Sequence, residues 1–310
     1  MSISAIVCTR DRPNLIGGCL DALSRNRCDG LEILVVDQSS DSSTRELVSA
    51  AAATDRRIRY HHSATTGLSR ARNFGIRQSK GEIVAFTDDD CIPDTGWISA
   101  LVEEFESNPD ISAVYGRSIP AEPAAPGERP VAVKLDTKRR VFSGACDPWR
   151  LGHGNNMAFR RSVFDAVGYF DEALGPGGAL RNCDDADFTY RLLKAGLTAV
   201  YSPEPIVYHR QFRHGEDRWQ LERDYGIGSG AFYSKHLRCG DLYALRLILD
   251  RWFRGGILHF GYGIITGRPA HIRTGWYRIA YSALGLLAAR KVRVNPLQRV
   301  FMDSTAGGHG

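Results

Sequence analysis

The chain has 310 residues, of which 43% are hydrophobic and 24% charged, a balance that excludes collagen-like, low-complexity and disordered classes. That length allows one large domain or two ordinary ones. The net charge is +5 but unevenly placed: from residue 210 onward 16 Lys/Arg stand against 7 Asp/Glu (+9), which leaves 24 against 28 (−4) before it.

Ser4–Thr9 is a short apolar run of β-formers, followed by a polar turn at Arg10–Asn14 and a helical pattern through Leu15, Cys19, Leu20 and Leu23. Glu32–Asp37 predicts a second strand and Thr44–Ala53 a helix. Arg57–Tyr60 predicts a third strand, Gly67–Ser79 a helix, and Glu82–Thr87 a fourth strand that runs into Asp88-Asp89-Asp90. Continuous apolar strands alternating with helices imply an α/β fold, a mostly parallel sheet flanked by helices on both faces. The polar clusters Thr9–Arg12, Asp37–Ser43 and Asp88–Asp90 all follow strand ends, where such sheets bind ligands. Residues 120–140, with four prolines, read as an irregular insertion. Helices are expected at 161–167 and about 186–195, and short strands at 197–201 and 206–209. Residues 216–295 form a basic helical region, and 296–310 a disordered tail. The catalytic region would then be 1–215.

Seven scattered cysteines without a C-x-x-C pair signal neither zinc nor a disulfide framework. Met1–Val7 reaches Arg10 too soon for a secretory signal, so a cytoplasmic setting is expected. The longest uncharged stretches of the basic third, 255–267 and 279–289, fall short of the ~20 apolar residues that cross a bilayer.

Three adjacent carboxylates at a strand end repel one another unless a cation neutralises them. Residues i and i+2 of an extended segment point the same way, so Asp88 and Asp90 can share a Mg²⁺ or Mn²⁺ while Asp89 points elsewhere; the alternative is a solvated acidic turn. Asp184-Asp185-Ala186-Asp187 opens a helix after Gly175-Pro-Gly-Gly178. Capping accounts for one acid, with Asp184 the candidate, and a carboxylate there also suits a general base. Asp37 either caps the next helix or hydrogen-bonds a nucleobase. Arg70 and Arg72 suit a diphosphate or a solvated face. His209 ends an apolar run, as a structural or metal-binding imidazole.

Taken in order, these segments resemble the family 2 nucleotide-sugar glycosyltransferases of GT-A fold. The matching pieces are Ile6-Val-Cys-Thr-Arg-Asp-Arg-Pro13, Glu32–Asp41, Gly67-Leu-Ser-Arg-Ala-Arg-Asn-Phe-Gly75, Phe86-Thr-Asp-Asp-Asp90, Gly154–Arg161, Gly168–Glu172 and Asp184–Leu192. The resemblance implies a Rossmann-like GT-A sheet and an inverting transfer of one sugar from a nucleoside-diphosphate sugar to an acceptor hydroxyl. By the same resemblance Thr9, Arg10, Asp37, Arg72 and Asp88 would bind the donor, and Asp88, Asp90 and His209 a Mn²⁺ or Mg²⁺. Asp185 would be the catalytic base and Asp184 would face the acceptor, a glycan or lipid-linked precursor. Gln38 stands where the family often has a second Asp, and Asp184 where it commonly has Glu. The Gln-x-x-Arg-Trp signature of processive synthases is not present as such; His214–Trp219 has only its Arg-Trp ending.

Rival readings are a sugar-phosphate nucleotidyltransferase and a non-catalytic nucleotide-sugar-binding protein. The first wants a Gly-rich phosphate loop that Cys8–Asn14 does not supply, and the second has little use for Asp185. A dinucleotide fingerprint is missing after the first strand. In the basic third, Arg251–Arg254, 255–267 and Trp276–Lys291 mix arginine with aromatics. They suit either helices at an anionic membrane surface, peripheral on its cytoplasmic face, or ordinary helix packing, and not nucleic acid.

Overall fold

The computed structural model describes residues 1–126 and 128–302, which form two compact units. The first comprises residues 1–66, 70–170 and 188–213; the second comprises 67–69, 171–187 and the described residues from 214 on.

The strands of the first unit are β1 (Ile3–Thr9), β2 (Leu31–Asp37), β3 (Ile58–His62), β4 (Ile83–Asp88), β5 (Cys91–Pro93), β6 (Ile111–Pro120), β7 (Arg129–Pro130), β8 (Arg140–Phe142), β9 (Asn156–Arg160), β10 (Thr198–His209) and β11 (Phe212–Arg213). Its helices are α1 (Pro13–Arg25), α2 (Ser43–Thr54), α3 (Leu68–Gln78), α4 (Trp97–Ser107), α5 (Ser162–Val167) and α6 (Asp184–Lys194), of which α3 and α6 begin in the second unit. The main sheet runs β3-β2-β1-β4-β9-β6-β10-β5, with β8 on β10. β1 is parallel to β2 and β4, and β6 to β10, while β9 runs antiparallel between β4 and β6. This is the mostly parallel sheet flanked by helices that the alternation predicts.

Period-two alternation sorts the sheet's side chains. Ala5, Val7, Ile33 and Val35 join Ile16, Leu20, Val48, Trp97 and Phe105 in one core layer. Ile6, Leu34, Val36, Val84 and Phe86 join Ala71, Ile76, Phe164, Phe188 and Leu192 in the other. Helix α3 lies close enough that a Cβ on Gly75 would come within 2.7 Å of Ile6 Cγ2, so only glycine fits there.

Register carries the polar strand ends to one edge. Thr9 lies opposite Asp37, Cys8 opposite Asp88, and His209 opposite Cys91. The two strands expected at 197–201 and 206–209 are one strand, β10. Its register against β6 slips between Tyr201 and Ile206, where Pro203 and Pro205 cannot donate to the ladder and the extra residues bulge out.

The second unit is helical. It contains α7 (Gly215–Arg238), α8 (Leu242–Asp250), a π-helical turn (Arg251–Ile257), α9 (Leu258–Ile265), α10 (Pro269–Ala289) and the hairpin strands β12 (Val294–Asn295) and β13 (Val300–Phe301). Its division from the first unit does not follow chain order. Residues 171–187 group with the C-terminal helices because Asp171 and Asp187 meet Lys235 of α7 at 2.6 and 2.7 Å, all three fully buried. His236 Nε2 lies 2.9 Å from Asp187, and the Phe301 N–H donates to Asp171 at 2.8 Å. Residues 296–302 are therefore not the disordered tail expected of them: Phe301 is buried beside Leu174, Leu180 and Ala231. The remainder of that expected tail, 303–310, lies outside the described residues.

Candidate active site

The loops after β1 and β2 are joined to each other. Asp11, held at φ +54°, donates its N–H to Ser39 Oγ at 2.8 Å and accepts the Ser40 N–H at 3.0 Å. Asp tolerates this left-handed conformation, and the bend turns the following Arg12 toward the acidic cluster. Arg12 Nη1 reaches Asp89 Oδ1 at 3.0 Å and Asp90 Oδ2 at 3.4 Å. Arg10 stays on the surface, 3.4 Å from Asp11.

The three aspartates point in three directions. Asp89 turns inward, accepting from Thr9 Oγ1 at 2.8 Å as well as from Arg12. Burial, only partly offset by Arg12, pushes its carboxyl up to about 6. Asp88 is about one-third exposed and faces Arg72 Nη2 at 3.5 Å. Arg72 is buried, donates to the Gly154 carbonyl at 3.1 Å, and lies over Phe86 and Phe170. Its guanidinium thus holds Asp88 from the buried side of the strand end.

Asp90 faces His209. Arg12 and Gln211 both donate to Asp90 Oδ2 at 3.4 Å, while Oδ1 lies 3.2 Å from His209 Nε2 and is buried without a well-aligned hydrogen bond. His209 Nδ1 is 2.8 Å from the Val131 carbonyl, which can only accept, so Nδ1 carries the proton. Neutral His209 then presents a lone pair at Nε2 to a carboxylate oxygen. Two electron-pair donors opposed in a buried place require a cation between or beside them, a proton or a metal ion. In the proton-bound form, burial would lower the His209 pKa, but the Asp90 hydrogen bond and charge outweigh it and hold it above the ordinary value. Burial likewise acts to raise Asp90, and His209 and Arg12 hold it below the usual carboxylate range.

The residues fit a divalent ion by this test. Asp90, Cys91 and His209 bring one ligand atom each within 4.8 Å of one another. Cys91 is a poor ligand for a hard cation, since burial drives its thiol pKa well above the usual range. Asp88 lies outside that group, so the expected set of Asp88, Asp90 and His209 is brought together only at its last two members.

Asp37 is fully buried. Its oxygens accept the Ser39 N–H at 2.8 Å and the Tyr60 hydroxyl at 2.9 Å. It therefore shapes the loop as well as standing at the strand end, and a nucleobase would reach it only where these partners leave a lone pair. In the second unit, Asp184 is buried and Asp185 half-buried in the first turn of α6, where Asp185 Oδ1 accepts the Ala186 N–H at 2.7 Å. Arg12, Gln211 and Tyr60 were not legible as site residues. The only signals were positional: Arg12 follows β1, Gln211 follows His209 by two residues, and Tyr60 neighbours the end of β2.

The family description Glycosyl transferase family 2 matches residues 4–168, more than half of the chain. The chain belongs to that family. A glucosyl-dolichyl phosphate glucuronosyltransferase of Haloferax volcanii is 26% identical over 247 residues, 76% of this chain and 77% of the relative. A pre-mycofactocin glycosyltransferase of Mycobacterium tuberculosis is 30% identical over 211 residues, 66% of this chain but only 41% of the relative's length. Among solved structures, a mannosyltransferase from Pyrobaculum calidifontis in complex with GDP-Man and Mn²⁺ aligns over 95% of this chain and 76% of its own, with TM-score 0.57 at 18% identity. TarS 1–349 of S. aureus in complex with UDP-GlcNAc aligns over 75% of this chain and 66% of its own, also at TM-score 0.57 and 16% identity. The fold is therefore GT-A, and the protein is a glycosyltransferase. Membership replaces the nucleotidyltransferase and non-catalytic readings.

Proposed function

We propose that this family 2 transferase moves one hexosyl or deoxyhexosyl unit from a nucleoside-diphosphate sugar to an acceptor hydroxyl, with inversion and with a divalent ion held by Asp90 and His209. The observation that carries the reading is the buried opposition of Asp90 Oδ1 and His209 Nε2 at 3.2 Å, at the strand-end edge of a GT-A sheet. Bound there, Mn²⁺ or Mg²⁺ would offset negative charge on the departing diphosphate.

The chain's own groups supply the rest. Arg12 and Gln211 hold Asp90 in place, and Val131 fixes the tautomer of His209. Arg72 fixes Asp88, whose exposed portion is available to the donor. Thr9, Arg10 and Asp37 form the nucleotide side through the joined β1 and β2 loops. Asp185 accepts the proton of the acceptor hydroxyl as that oxygen attacks the anomeric carbon, and a single displacement from the opposite face inverts it. Asp184, in the same turn, positions the acceptor.

The acceptor class we favour is a lipid-linked glycan or cell-envelope polysaccharide precursor, which the dolichyl phosphate in the name of the Haloferax relative supports. The transferase would then work as a peripheral protein on the cytoplasmic face of a membrane. A screen of UDP-, GDP- and dTDP-sugars for nucleoside diphosphate release tests the proposal. Release with at least one donor, abolished by chelation and by Asp90→Ala, is expected; no release with any donor, or release indifferent to chelator, would overturn it.

A further inference from the structure

Among the described residues no helix is long and apolar enough to cross a membrane. Yet α8, the π-helical turn and α9 run without interruption from Leu242 to Ile265, 24 residues or roughly 36 Å of helix. Leu242, Leu245 and Leu249, then Phe253 and Ile257, then Phe260 and Ile264 follow one another at three- or four-residue steps, and every one is exposed, from 38 to 77%. That spacing puts them in one stripe along the helix.

The opposite side of the same helix is committed to neighbouring helices, to α7 along α8 and to α10 along the π-helical turn and α9. Ala244, Leu247 and Ile248 are buried. A Cβ on Gly256 would meet Ile279 at 2.5 Å, one on Gly263 would meet the Ile272 backbone at 2.6 Å, and Trp252 Nε1 donates to Ser282 Oγ at 2.6 Å. Close packing on that side prevents the helix from rolling its apolar stripe inward. The stripe is therefore a built outer face.

We infer that this face docks on an anionic lipid bilayer, lying in the headgroup plane without crossing it. Charge selects this partner. Between Leu242 and Lys291 there are eight Lys/Arg and a single acid, Asp250, which is paired with Arg254 at 2.9 Å. Arg246 and Arg254 each follow a stripe residue by one position, a quarter-turn round the helix, where their stems flank the apolar face and their heads reach phosphates. Exposed Tyr262 and Trp276 add rings suited to the interface. A second copy of the chain is disfavoured, since a two-fold contact through this face would oppose like charges. The inference deepens the peripheral membrane location proposed above by naming the face and the lipid charge that serve it; its observations come from the helical unit alone, and it would supply access to a lipid-borne acceptor.

Flotation of the full chain with vesicles tests it, comparing pure phosphatidylcholine with phosphatidylcholine containing about one-third phosphatidylglycerol. Wild type is expected to float with the anionic vesicles at least ~10-fold better than with the neutral ones. The pairs Leu249→Glu/Phe253→Glu and Arg246→Glu/Arg254→Glu should each lower that binding by roughly 10-fold or more with an unchanged circular dichroism spectrum, because all four side chains are exposed. Equal recovery of wild type and both variants overturns the inference. So does a wild-type dimer in light scattering that Leu249→Glu/Phe253→Glu dissociates while no protein floats. Donor hydrolysis measured without vesicles separates the two readings: an active protein that does not float defeats only the membrane inference, and a floating protein inactive on every donor defeats only glycosyl transfer.

Discussion

Each acidic residue of the two clusters has been given a different task by its neighbours. Asp89 is turned inward onto Thr9 and Arg12, Asp88 is held by Arg72, and Asp90 faces His209. In the second cluster Asp187 is consumed by Lys235 and His236, which leaves Asp185 as the half-buried carboxylate of the turn. Asp185→Asn should retain donor affinity while turnover falls by at least ~10²-fold, as loss of a general base requires; near-normal turnover would remove Asp185 from that role. Lys235 belongs to the stability of the helical unit. Replacing it by Met would leave Asp171 and Asp187 buried and mutually repelling, at a cost of about 3–5 kcal/mol. Urea unfolding of Lys235→Met measures this, and a midpoint within error of wild type would show that the pair is relieved in another way.

Elements differ in how far their residues announce them. The runs that become β1, β2 and β4 are continuous, apolar and closed by polar clusters, so the strands and their parallel direction were legible. Pro203 and Pro205 separate two apolar runs in the sequence; the bulge keeps β10 one strand and delivers His209 to the edge. Arg12 was not distinguishable from Arg10, because what separates them is the backbone reversal at Asp11, a property of the folded loop. Gly75 closes the Gly67–Gly75 motif, and its task is steric. Gly75→Ala should destabilise the first unit by about 1–3 kcal/mol through the contact with Ile6, read as a lowered denaturation midpoint; an unchanged midpoint would mean that α3 can lift off the sheet without penalty.

At the scale of the whole molecule, composition correctly marked the last third as basic and helical, but not how the chain is divided between units. That division depends on long-range ion pairs from Asp171 and Asp187 to Lys235, and sequence periodicity carries no trace of such pairs. The placement of residues 296–302 has the same long-range origin. Residues 296–302 show no helical or strand periodicity of useful length, yet Phe301 donates its N–H to buried Asp171 and Arg299 pairs with Asp241 at 3.0 Å. Truncation after Arg293 should therefore lower the melting temperature by several degrees, roughly 4 °C or more for ~2 kcal/mol lost; an unaltered melting curve would reinstate the tail. Under the two proposals the net −4 before residue 210 and the +9 from it onward would face different partners, a cation with a nucleotide sugar and an anionic lipid surface. The central claim is that Asp90 and His209 hold the divalent ion. Mn²⁺ titration by electron paramagnetic resonance, with nucleoside diphosphate present, tests it most directly: one bound ion per chain is predicted, with affinity lowered at least ~10-fold in His209→Ala and further in Asp90→Ala, whereas affinity unchanged in both variants would contradict it.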